Sequence, residues 1–161
     1  MAWHISLGVE CGASAVAARA VAAHFHGYSI VMGDGRHLEC SARAGSDASN
    51  GPDCEGNWWA AVFPGISTHG DVELRTAERI SEVGGALYRR LEGAPSFRWA
   101  TFGVEAHDWR HYSELDQWCL ANVRGLVVSE EIWARLGSPS ECVSFRPGYM
   151  WKPYAGEKQG I

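Results

Sequence analysis

Lysine is nearly absent from this chain. Its basic residues are 12 arginines and 2 lysines, against 19 acidic residues, for a net charge of −5 over 161 residues. Such a balance leaves no basic footprint, and nucleic acid is not expected as a partner. No stretch of about 18 apolar residues occurs, so no membrane span is expected. Met1-Ala2-Trp3-His4-Ile5-Ser6 has neither the basic nor the apolar region of an export signal. The five cysteines (Cys11, Cys40, Cys54, Cys119 and Cys142) are odd in number and contain no Cys-x-x-Cys. That spacing supports neither a zinc knuckle nor a thioredoxin-type motif. These absences together lead us to expect a cytoplasmic protein with free thiols. A Gly-x-Ser-x-Gly elbow, a P-loop and a Gly-x-Gly-x-x-Gly fingerprint are also missing, and no cofactor is expected.

What the chain does have is an ordinary globular composition, 46% hydrophobic and 20% charged, in a length suited to one domain spanning residues 1–161. It is rich in tryptophan, with eight. Trp is large and its indole N–H needs a partner, so some of the eight are expected at the surface, where Trp favours binding.

The pattern predicts an α+β fold, a mostly antiparallel sheet packed by two or three helices. Residues 3–9 read as a strand, and Ser14 caps an Ala-rich helix over 15–26 stopped by Gly27. Strands over 28–32 and 37–42 flank a Gly33-Asp34-Gly35-Arg36 turn. A long polar loop, 43–57, precedes a strand over 57–64. Asp71 caps the clearest helix, 72–92, with Ala77, Ile80, Gly84, Leu87 and Leu91 on one stripe. Gly84-Gly85 costs that helix about 1 kcal/mol per residue relative to Ala, which points to close packing or a bend. Further strands are expected at 97–104 and 123–128, and short helices at 112–120 and 130–136.

Two constellations carry chemistry. His107 and His111 are four residues apart and would share a helical face, where Glu105 or Asp108 adds oxygen for a divalent metal. The stretch His107-Asp108-Trp109-Arg110-His111 departs from His-Glu-x-x-His, and the plainer reading is a polar surface connection. The second is an acidic and aromatic segment holding Glu105, Asp108, Trp109, Glu114, Asp116 and Trp118. It is either core closed by the tail or a recognition face for a basic protein partner, with aromatic anchors and electrostatic steering.

The segment from Gly125 to Tyr154 contains a strand, a Ser129-Glu130-Glu131 cap and Arg146-Pro147-Gly148-Tyr149. It resembles small bacterial immunity proteins of polymorphic toxin systems. The resemblance covers about the last 60 residues and implies an α+β protein that occludes one cognate toxin in the producing cell. Three functions therefore stand as expectations. The first is a non-enzymatic binding protein that neutralises a partner. The second is a small metal-dependent hydrolase using His107 and His111. The third is a structural subunit of a larger assembly.

Overall fold

Alternation of Ile5, Leu7 and Val9 with Ser6, Gly8 and Glu10 builds the central strand β1 (Ala2–Glu10) of a computed structural model that describes residues 2–46, 50–69 and 74–157. The two-residue period sends the apolar row to one side of the sheet and the polar row to the other. Both sides are covered, so Ser6 and Glu10 are as inaccessible as their apolar neighbours.

Beside β1 lie β5 (Trp59–Phe63) on one edge and β7 (Trp99–Val104) on the other, both antiparallel. β6 (Ser67–His69) continues the β5 edge, but the register slips there. Leu7 faces Val62, yet His4 faces Ser67 rather than Gly65. With β4 (Ser41–Ala44), β8 (Val127–Ser129), β9 (Val143–Arg146) and β10 (Tyr149–Trp151), the main sheet runs β4-β5-β1-β7-β8-β10-β9. β2 (Ser29–Val31) and β3 (His37–Glu39) form a separate hairpin around the expected turn. The expected strand at 37–42 is broken at Cys40, whose N–H bonds Tyr28, and Ser41 onward joins the main sheet.

Two helices cover the first face. α1 (Ala15–Phe25) is capped by Ser14, whose Oγ accepts from Ala17 N–H at 3.0 Å. It lays Ala18, Val21, Ala22 and Phe25 on the sheet. α2 (Leu74–Glu92) adds Ile80, Val83, Leu87 and Leu91. Each such aliphatic side chain contributes about 1.5–3 kcal/mol on burial. Asp71, expected to cap α2, lies outside the described residues, as do 47–49 of the long loop. Gly84 explains the glycine pair: a Cβ there would stand 2.7 Å from the Phe102 ring and 2.8 Å from the Tyr154 ring. The helix approaches the sheet and the tail too closely for a side chain.

The second face carries the connection after β7, then α3 (Gln117–Asn122) and α4 (Glu130–Arg135). Its core joins Trp59, Trp99, Leu120, Leu126, Val128 and Ile132. The described residues thus hold four α-helices and antiparallel strands, the expected α+β class with more helices than the two or three anticipated.

The Arg146-Pro147-Gly148-Tyr149 segment is a hairpin turn that ties the tail down. Gly148 turns it with φ +86°. Arg146 Nη1 reaches the carbonyls of Glu92 (3.1 Å) and Ala94 (2.6 Å) at the end of α2. Tyr149 Oη donates to Phe97 C=O at 2.8 Å and accepts from Phe97 N–H at 3.0 Å.

Candidate functional site

The polar row of β1 organises the second face. The Glu10 carboxylate is fully buried and accepts from Gly12 N–H, the Arg98 guanidinium and Trp99 Nε1. Trp99 meets Trp59 edge to face at 4.8 Å. Trp59 Nε1 in turn donates to Asp53 Oδ2 at 2.9 Å. The other Asp53 oxygen accepts from Glu55 N–H and Asn57 N–H, both at 2.9 Å. Burial raises the Asp53 pKa, but these bonds and a contribution from His111 outweigh it and hold the carboxyl below its usual range. A tight turn, 53–57, is thereby fixed against the sheet, with Gly56 at φ +81°.

Behind that turn lie one-turn 3₁₀ helices at Ala106–Asp108 and Tyr112–Glu114; His107 is inside the first, and His111 is the extended residue just before the second. His107 and His111 therefore do not share a face of one helix, because the chain leaves the helical path over residues 109–111 between the two turns. Both nevertheless line a cavity of about 20 Å³ with Ser46, Asp53, Trp59, Asp108 and Arg110, room for about one water. His107 is buried, its Nδ1 2.8 Å from Ser6 Oγ, which also accepts His107 N–H at 3.1 Å. If the Ser6 hydroxyl proton goes to Nδ1, the imidazole proton sits on Nε2, 3.7 Å from Glu105 Oε2. His111 places Nδ1 3.6 Å from Asp53 Oδ2 and Nε2 3.6 Å from Cys54 Sγ. Among the described residues, no three His, Cys, Asp or Glu side chains are grouped to hold a metal ion.

The acidic and aromatic segment separates into different roles. Glu105 sits at φ +51° and accepts His4 N–H at 2.6 Å, closing the end of β1. Glu114 Oε2 accepts His111 N–H at 2.6 Å. Asp116 caps α3, accepting Cys119 N–H at 2.9 Å, and that bond leads in lowering its pKa. Trp109 is half-buried, 6.0 Å from the Trp99 ring, with Arg110 over its own ring. Asp108 is exposed. Trp118 is 58% exposed. An open recess of about 180 Å³ lies along Thr101–Val104 of β7, bounded by Trp109 and by Val123 at the end of α3. β8 pairs with β7 only at Trp99 and Ala100, which leaves this half of the strand edge without β8.

Sequence reasoning did not bring Asp53 or Cys54 together with His111. Cys11, Cys40, Cys119 and Cys142 are buried, and Cys54 is exposed. Burial pushes the Cys11 thiol up to about 12 and the Cys40 thiol up to about 11. One signal was present: Cys54 is the cysteine set in the polar, glycine-rich loop. Its neighbour His111 lies 57 residues away, and no local spacing reports that contact.

Comparison of the chain with protein-family models, curated proteins and solved structures finds no match.

Proposed function

We propose that this protein binds a second protein and neutralises it by covering its working surface, with α3 at the contact. The observation that carries this reading is Trp118, a large aromatic 58% exposed on a helix whose Cys119 and Leu120 are fully packed. Exposed Trp is costly to leave in water and is enriched among binding anchors. Exposed Asp108, Glu114 and Asp116 accompany it. This favours a basic partner. The recess bounded by Val123 and Trp109 offers apolar area beside the helix. Following the resemblance of the last 60 residues, the partner is a toxin made by the same cell and met in its cytoplasm.

The test uses the protein encoded beside this chain's gene as the candidate partner, with binding kinetics measured on purified proteins. Trp118→Ala is expected to speed dissociation, at a cost of about 2 kcal/mol or more. Asp108→Lys is expected to slow association, with an effect that shrinks as salt shortens the Debye length below about 8 Å. Glu114 and Asp116 are left intact because both hold backbone N–H groups. Wild-type binding by both folded variants would overturn α3 as the contact.

A further inference from the structure

Three side chains from two distant segments meet at the 53–57 turn. Cys54 is exposed at its tip, with Sγ beside the His111 ring, 3.6 Å from Nε2 and 4.0 Å from Nδ1. Nδ1 of the same ring lies 3.6 Å from Asp53, whose side chain is only 6% exposed and is held by three N–H donors. A nucleophile, a base and a carboxylate that orients the base are the parts that activated thiols require.

From this juxtaposition we propose that Cys54 is a nucleophilic thiol that takes an acyl group from an activated ester or thioester, with His111 as its base and Asp53 as a positioning residue. In the step, the Sγ–H proton passes to His111 Nε2 and the sulfur forms a bond to the acyl carbon. The bond from that carbon to the leaving oxygen or sulfur breaks, and the leaving group takes the proton back from His111. Thiol and acyl donor become an S-acyl cysteine and a free alcohol or thiol, with no oxidant or reductant consumed. Asp53 and Glu55 flank Cys54 in the chain, and the Glu114 carboxylate accepts the His111 N–H. The Glu55 carboxylate is occupied by Ser113, and Arg98 lies close enough to feel Asp53. His107, Asp108 and Arg110 share the cavity behind His111. The other four thiols are buried and cannot compete.

The experiment treats the folded full chain with p-nitrophenyl acetate, reads p-nitrophenolate release, and locates the acetyl group by peptide mass spectrometry. The expected result is one acetyl per chain on Cys54, formed at least about tenfold faster at neutral pH than on the same cysteine in urea. The rate should rise with pH, as a reaction that needs an unprotonated base requires. Cys54→Ser should remove the one-per-chain burst and leave only the background hydrolysis of the ester. His111→Gln should leave a slow reaction with a different pH profile, set by the thiol without its base. Asp53→Asn should move the pH dependence of the rate to lower pH, because an imidazolium at His111 loses its carboxylate neighbour. Equal rates on folded and urea-unfolded wild type would overturn the proposal without any variant. So would a His111→Gln protein with an unchanged pH profile.

Discussion

Arg98 and Glu10 are joined twice across the β1–β7 pairing. The Arg98 N–H donates to the Glu10 carbonyl at 2.8 Å, and its guanidinium holds the Glu10 carboxylate through Nε at 2.9 Å and through Nη2. The carboxylate is fully buried while the guanidinium side chain is 34% exposed. The pair therefore fixes the inner end of the network that runs through Trp99 and Trp59 to Asp53. Arg98→Ala leaves a buried carboxylate without its cation, and such losses cost about 3–5 kcal/mol. The partial exposure of Arg98 places the expected loss near about 3 kcal/mol, measured as a lower urea midpoint.

The two glycines of α2 should respond oppositely to alanine. At Gly85 the nearest foreign atom to a new Cβ is Arg89 Nη1 at 3.5 Å, ordinary contact. Gly85→Ala is expected to stabilise by up to about 1 kcal/mol through helix propensity. At Gly84 the same methyl strikes Phe102 and Tyr154, and overpacking of that kind costs about 1–3 kcal/mol. Thermal unfolding of the two variants gives the sign of each.

Asp53 makes stability depend on acid. Its carboxyl lies below the usual range when folded, so its contribution is present above the unfolded value of about 3.9 and is lost as pH falls through the folded one. Asp53→Asn is expected to cost about 1–3 kcal/mol at neutral pH, because bonds to a charged acceptor weaken. The gap between wild type and variant should close below about pH 4. Urea unfolding from neutral to acid pH measures it; a gap constant with pH would show that the charge contributes nothing.

Tyr149→Phe tests how the tail is held. It strips both hydrogen bonds from the Phe97 backbone and should cost about 1–3 kcal/mol. Amide exchange should rise at Phe97 and along the β9–β10 hairpin. Normal protection there would mean that packing alone holds the tail.

Much of this architecture was legible in the residues because its causes are local. Ser14, Gly27 and Ser129 mark helix ends through hydrogen bonds or turns within a few residues. The alternation in β1 and β7 shows which side chains share a face. Where the cause is remote, the pattern reads differently. The stretch 112–120 reads as one helix, but Asp116 caps Cys119 and restarts it, so a 3₁₀ turn precedes a six-residue helix. β6 and the β9–β10 hairpin are too short to show a period. Arg146, Pro147, Gly148 and Tyr149 stand out in the sequence, yet their targets, the end of α2 and Phe97, lie about fifty residues away.

The same division holds for the site. Composition determined that the chain is acidic, Trp-rich and short of lysine, and local spacing singled out 105–118 as its most chemical segment. Tertiary structure decided which of those groups the fold itself uses. Glu105, Glu114 and Asp116 bond backbone N–H groups, while Trp118 faces water. It also set Cys54 and Asp53 against His111. The physical reason is range. Propensity, capping and periodicity act within one or two turns of chain, whereas a side chain's solvent exposure and its partners depend on which distant segments the sheet brings together.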